Sequence, residues 1–149
     1  MLLQPRLGIV LVSHSQTLLT GLLELLSQIN HANVPIACAG GTGEVDNPIG
    51  TNPMLIVKAI QDIFKKQPNV EAVIVLMDLG SALMSMEAAL DFLDDNQKER
   101  IWMSDGPIVE GSVVALGAAL SSMPITDIYK DISNALLIKT SFLSKYLKK

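Results

Sequence analysis

Four times along this chain a short, almost wholly apolar run breaks off into a polar junction. Leu7–Val12 ends in Ser13-His14-Ser15, Val34–Ala39 in Gly40-Gly41-Thr42-Gly43, Val70–Met77 in Asp78-Leu79-Gly80-Ser81, and Ile101–Met103 in Ser104-Asp105-Gly106-Pro107. A strand apolar at nearly every position is covered on both faces, as in a parallel sheet; a half-solvated strand would alternate. Between the runs the apolar period lengthens to that of helices, over Thr17–Ile29, Met54–Lys66, Ser81 to Leu93 and Val109–Leu120, with a last helix from Thr126 to Leu137. Such alternation predicts right-handed crossovers and parallel strands. The expected fold is α/β, a single doubly wound domain over residues 1–149 with a mainly parallel sheet of four strands. A fifth would come from the Ser121–Ile125 region or from a partner chain.

Local signals support this division. Thr51 or Asn52 is placed to cap the second helix, with Pro53 in its first turn; Ser81 is a capping serine for the third and Thr126 for the last. The leucines at 18, 19, 22, 23, 25 and 26 predict a broad apolar surface against the sheet, leaving Glu24 and Gln28 to solvent, and Asp91, Asp94 and Asp95 read as a solvated helix end.

Composition excludes several function classes. With 49% hydrophobic and 17% charged residues the chain is globular, and no apolar run approaches the length that spans a bilayer. The first twelve residues lack the features of a signal peptide, so a cytoplasmic protein without membrane insertion is expected. A net charge of -4 argues against a nucleic-acid partner, and the basic Lys139–Lys149 tail is a short local cluster. Cys38, the only cysteine, reads as a small buried hydrophobe, and His31 as solvated surface. Two histidines and one cysteine are too few for a zinc site.

Parallel strands bring all four junctions to one rim, where open α/β sheets bind ligands and helix N-terminal amides meet anions. His14 stands where the first strand hands over to a helix. A neutral imidazole is a good nucleophile near neutral pH, and Asp78 is the candidate carboxylate to fix its tautomer. Backbone amides of Gly40, Gly41 and Thr42, with the helix starts at Ser15 and at Gly80-Ser81, are the candidate donors to phosphoryl oxygens. Phosphoryl transfer depends mainly on such positioning and charge stabilisation. A Ser-His-Asp hydrolase uses the same residue types, but the G-x-S-x-G elbow is absent and neither serine beside His14 is placed to be activated by it. The loop from Gly40 to Gly50 fits neither G-x-G-x-x-G nor the G-x-x-x-x-G-K-[ST] phosphate loop.

Gly8-Ile9-Val10-Leu11-Val12-Ser13-His14-Ser15, Pro35-Ile36-Ala37-Cys38-Ala39-Gly40-Gly41-Thr42, Ile49-Gly50-Thr51, Val75-Leu76-Met77-Asp78-Leu79-Gly80-Ser81-Ala82 and Pro107-Ile108-Val109-Glu110-Gly111 occur in this order. Together they resemble the phosphotransfer subunit of phosphoenolpyruvate-dependent dihydroxyacetone kinase, of mannose-type enzyme IIA-like fold. The Ala-Gly-Gly-Thr and Asp-Leu-Gly-Ser-Ala segments separate it from the related enzyme IIA domains of sugar transport. The resemblance implies a homodimer without a cofactor. His14 would take a phosphoryl group from the histidine-containing phosphocarrier protein and pass it to ADP on the kinase's nucleotide-binding subunit, with Asp78 as the nearby aspartate. Ser104-Asp105-Gly106 departs from the more alanine-rich junction expected there. A mannose-type enzyme IIA component of a sugar phosphotransferase system, or a non-catalytic sensor of the same fold, are the competing readings.

Overall fold

The first strand, β1 (Leu7–Ser13), is buried at each of its 7 residues, and the computed structural model, which describes residues 3–147, shows why. β1 pairs in parallel with β2 (Ile36–Gly40) on one side and β3 (Ala72–Met77) on the other, and β3 pairs in parallel with β4 (Ile101–Ser104). The sheet is therefore all parallel, in the order β2-β1-β3-β4. Successive side chains of one strand point to opposite faces, so a run apolar throughout can feed two cores. Val10 and Val12 join Val73, Val75, Ile56, Ile60 and Met86 on one face, under α2 (Pro53–Lys66) and α3 (Ala82–Leu90). Ile9 and Leu11 join Ile74, Leu76, Leu19, Ala115 and Ile132 on the other, under α1 (Gln16–Ser27), α5 (Ile108–Ala118) and α6 (Ile125–Ser133). A short α4 (Asp95–Glu99) precedes β4, and α7 (Leu137–Leu143) follows α6.

Several local expectations are corrected. No fifth strand forms among the described residues: Ser121–Pro124 is irregular, and Pro124, not Thr126, stands at the start of α6, with Thr126 already inside the helix. Asp94 and Asp95 do not trail off α3. Asp94 opens α4 with a capping box, accepting from the Gln97 amide at 2.8 Å while Gln97 accepts from its own. Of the α1 leucines, Leu19, Leu22 and Leu26 are buried, whereas Leu18 and Leu25 are exposed because they lie off the sheet-facing stripe. Cys38 is half-buried, against an expectation of full burial, because β2 is an edge strand. Asn52 supplies the α2 cap, accepting from the Met54 amide at 2.9 Å. Residues 1, 2, 148 and 149, and so the start of the twelve-residue N-terminal segment and the end of the basic tail considered above, lie outside the described residues. Among the described residues no helix is long and apolar enough to cross a membrane.

The seating of α2 on the sheet depends on Gly8, where an added Cβ would come within 2.3 Å of Ile63 Cγ2. Gly8→Ala is expected to lower stability by about 1–3 kcal/mol, the usual cost of overpacking. In an Ile63→Ala background the same change should cost little further, because the obstructing methyl is gone. Urea unfolding of the four chains checks both outcomes.

Candidate functional site

The strand order makes β1 the point at which the chain reverses direction across the sheet: it is followed by β2 on one side, while β3 and β4 build outward on the other. A crevice opens beyond the carboxyl ends of strands at such a point. Val12 is in register with Met77, so the next residues, Ser13-His14 and Asp78, emerge side by side.

Asp78 is the hub. Its Oδ2 accepts from the Ser13 hydroxyl at 2.8 Å and from the His14 backbone amide at 2.9 Å. Its Oδ1 faces His14 Nδ1 at 3.0 Å and accepts from the Leu79 amide at 2.7 Å. Two carboxylate oxygens offer about four acceptor sites, and here all are in use. Burial alone would push the carboxyl up, but the bonds from the His14 amide, the His14 ring and the Ser13 hydroxyl outweigh it and hold the carboxyl below its ordinary value. An ionised Asp78 can only accept, so His14 Nδ1 carries the proton of this bond, and in the neutral ring the lone pair is then on Nε2. The Ser81 hydroxyl lies 3.0 Å from Nε2 and donates to it.

That last contact revises the expectation for Ser81. It stands at the start of α3 but makes no side-chain cap bond; its hydroxyl is turned to the histidine instead. Ser15, in contrast, caps α1, accepting from the Leu18 amide at 3.2 Å. Ser13 has a role that sequence reading missed. It is wholly buried, donates to Asp78 and accepts from the Ser15 amide at 3.0 Å. The available signal was a polar side chain closing a strand otherwise apolar on both faces, where an unpaired hydroxyl would be costly.

The Gly-rich turn lies beside the histidine but is organised differently from the expectation. Gly40 lets β2 run against the first turn of α1, since a Cβ there would sit 2.6 Å from Gln16 Cα. Gly41 has φ +70, and its amide donates to the Ser13 carbonyl at 3.0 Å. The Thr42 amide donates to the Pro48 carbonyl at 3.1 Å, and the Gly50 amide to the His14 carbonyl at 3.0 Å. The Gly41 and Thr42 amides thus shape the loop and are not free donors. Among the described residues, the amides of Gln16 and Thr17 at the start of α1, and of Gly80 and Ser81 before α3, have no protein acceptor. A cleft of about 450 Å³ adjoins the site, with Asp78, Leu79 and Gly80 at one edge and Met103, Pro107 and Tyr129 across it.

Other candidates fall away from the rim. His31 is exposed in the turn after α1. Burial pushes the Cys38 thiol up to about 11, so it is protonated and unreactive at neutral pH. No group of three or more metal-ligating side chains occurs among the described residues.

Comparison with known proteins agrees with this architecture. Residues 8–130 match the EIIA-man family, described as the PTS system fructose IIA component. The chain is 35% identical over 139 residues to "PEP-dependent dihydroxyacetone kinase, phosphoryl donor subunit DhaM" of Providencia stuartii, covering 93% of this chain but 28% of that protein. It is also 35% identical over 128 residues to "PEP-dependent dihydroxyacetone kinase 2, phosphoryl donor subunit DhaM" of Listeria innocua, covering 86% of this chain and 98% of that protein. The chain therefore spans less than a third of the longer relative and nearly all of the shorter. The crystal structure of the unknown-function protein EF1359 superimposes with a TM-score of 0.71 at 31% identity, covering 86% of this chain and 93% of that one. The chain belongs to the EIIA-man family, within which it is similar to these phosphoryl donor subunits.

Asp78→Asn puts an NH2 group where one oxygen now accepts two bonds, and is expected to destabilise the fold by about 3 kcal/mol. The pH dependence follows from the lowered carboxyl. Its folded pKa is below the unfolded value of about 3.9, so its stabilisation is full above that pH and lost as pH falls through the folded value. Denaturant titrations between pH 6 and pH 2 should therefore show a steeper acid loss in the native chain than in Asp78→Asn.

Proposed function

We propose that this chain is a cytoplasmic, homodimeric phosphocarrier. His14 accepts a phosphoryl group from the histidine-containing phosphocarrier protein and passes it to ADP on the nucleotide-binding subunit of dihydroxyacetone kinase. The names of the relatives from Providencia stuartii and Listeria innocua support the kinase system. The single observation that carries the chemistry is the His14 ring held between Asp78 at Nδ1 and Ser81 at Nε2.

In the proposed step the Nε2 lone pair attacks phosphorus in line with the donor's N–P bond. The new N–P bond forms as the old one breaks, and the donor imidazole leaves with its electron pair. The His14 ring becomes cationic, and the Nδ1–H bond to ionised Asp78 gains strength as that charge develops, which lowers the barrier. The Ser81 hydroxyl swings from Nε2 to a phosphoryl oxygen. The unpaired amides of Gln16, Thr17, Gly80 and Ser81 receive the remaining negative charge, as at other helix starts. Ser15 keeps a free hydroxyl proton for the same purpose, while Gly40, Gly41 and Thr42 hold the loop that frames the site. The reverse sequence, with a nucleotide phosphate as acceptor, returns the ring to its starting tautomer.

A mannose-type enzyme IIA role in sugar transport is favoured by the family description over residues 8–130. It predicts the same phosphohistidine with a different acceptor, so delivery to a sugar-transport IIB domain, with none to the ADP-loaded kinase subunit, would replace the first reading.

Incubation with phosphoenolpyruvate and the general carrier proteins is expected to give one acid-labile, base-stable label per chain. His14→Ala should abolish it and His31→Ala should leave it intact. Ser81→Ala should slow labelling about a hundredfold, the cost of one transition-state donor, and Asp78→Ala should slow it without necessarily removing it. Acid-stable label, or label in His14→Ala, would overturn the assignment.

A further inference from the structure

The Ile49-Gly50-Thr51 segment carries part of the family resemblance, yet no step of the proposed transfer uses it. In the fold it lies between the histidine and the helix that faces it. The Gly50 amide donates to the His14 carbonyl at 3.0 Å. One residue on, the Thr51 hydroxyl lies 2.6 Å from the hydroxyl of Ser85, in α3. Asn52, next again, caps α2 and donates to the Thr42 carbonyl at 3.0 Å. Thr51 is therefore a half-buried side chain on backbone that is fixed on both sides.

α3 is the element that needs such an anchor. Its starting serine, Ser81, makes no cap bond because its hydroxyl is on His14 Nε2, and the helix packs mainly against α2, with little hold on the sheet. A helix whose capping side chain is engaged elsewhere is weakly held at that end. Ser81 has helical backbone angles and Ser85 follows four residues later, so the two side chains lie on one stripe, one turn apart. The side of α3 that faces the histidine is thus the side that Thr51 holds. A serine inside a helix ordinarily turns back to the preceding turn or out to water. Ser85 reaches instead to a residue 34 positions earlier.

We propose that Thr51 and Ser85 are a positioning pair, which sets the distance between α3 and the β1–α1 junction so that the Ser81 hydroxyl reaches His14 Nε2. The contacts close a ring: His14 carbonyl to Gly50 amide, Thr51 to Ser85, one helical turn to Ser81, and Ser81 back to the imidazole at 3.0 Å. Neither Thr51 nor Ser85 bonds to the reacting ring. Position matters because a hydroxyl that moves from Nε2 to a phosphoryl oxygen must be within bonding reach when transfer begins. A displacement of about 1 Å at such a group costs up to about a hundredfold in rate. The proposal rests on the reading of Ser81 as a donor in transfer, and names the residues remote from the chemistry that make it one.

Phosphoryl labelling of the full chain and the nitrogen NMR resonances of the His14 ring test the pair together. Thr51→Val keeps the shape and removes the hydroxyl, and Ser85→Ala removes its partner. Each is expected to slow labelling about tenfold, less than loss of the Ser81 hydroxyl itself. The double variant should be no slower than either single one, because the pair acts as a unit. In a Ser81→Ala background neither change should slow labelling further. Thr51→Ser, which keeps a hydroxyl, should label near the native rate. The Nε2 resonance of Thr51→Val and of Ser85→Ala should move toward its position in Ser81→Ala, while that of Nδ1, held by Asp78, stays. Melting curves show which variants are folded, and Ser85→Ala introduces the best helix former, so a slower rate there is not a loss of helix propensity. Native-rate labelling in both single variants, or equal slowing in the Ser81→Ala background, would overturn the pair, as would an Nε2 resonance unmoved by either change. If the native chain takes no label, the phosphocarrier reading fails, and the Nε2 resonance still decides whether Thr51 and Ser85 hold Ser81 on the ring.

Discussion

The Asp78 carboxylate is the constraint on which the functional end of this molecule depends. Each of its bonds ties down a different piece: Ser13 and the His14 amide fix the end of β1, the Leu79 amide fixes the exit from β3, and the ring bond fixes the imidazole. Because the four donors converge on two oxygens, a shift in any one disturbs the others, and the network behaves as a unit. The low titration of the carboxyl is the electrostatic face of the same fact: the site is built around a negative charge and depends on keeping it.

Much of the fold could be read from the sequence because its strands need no long-range information to be recognised. A run such as Leu7–Val12 fits only a strand covered on both faces, and the structure gives its alternate residues to two separate cores. Helix starts were less legible where the capping residue had a competing task. Asn52 caps as its position suggests. Ser81 has the right position and residue type, yet its hydroxyl belongs to a histidine 67 residues earlier in the chain, a partner no local rule contains. The acidic stretch after α3 differs for the opposite reason: Asp94 has the sequence setting of solvated trailing charge, yet Gln97 completes a capping box with it.

At the site, the residue types were legible and their bonding was not. His14 and Asp78 follow from strand ends placed on one edge, which topology alone requires. The sequence of the Gly40-Gly41-Thr42 turn suggests a set of open amides, whereas Gly41 and Thr42 have their N–H groups on the carbonyls of Ser13 and Pro48. Glycine in that turn serves the approach of β2 to α1, a steric demand that resembles a ligand cradle when only the sequence is seen. Ser13 closes an apolar run and so carries little signal in the sequence, and for the same reason its hydroxyl finds its partners inside the protein.

With Nδ1 tied to Asp78, the histidine has a single usable nitrogen, and that nitrogen looks out through a ring only 22% exposed. Anything that gives to it or takes from it must arrive through the same doorway. Two such visitors exclude one another, so traffic through the site is a queue, and crowding by either visitor slows the other even when both are abundant. For the phosphocarrier proposed above, throughput would then depend on how quickly each visitor leaves.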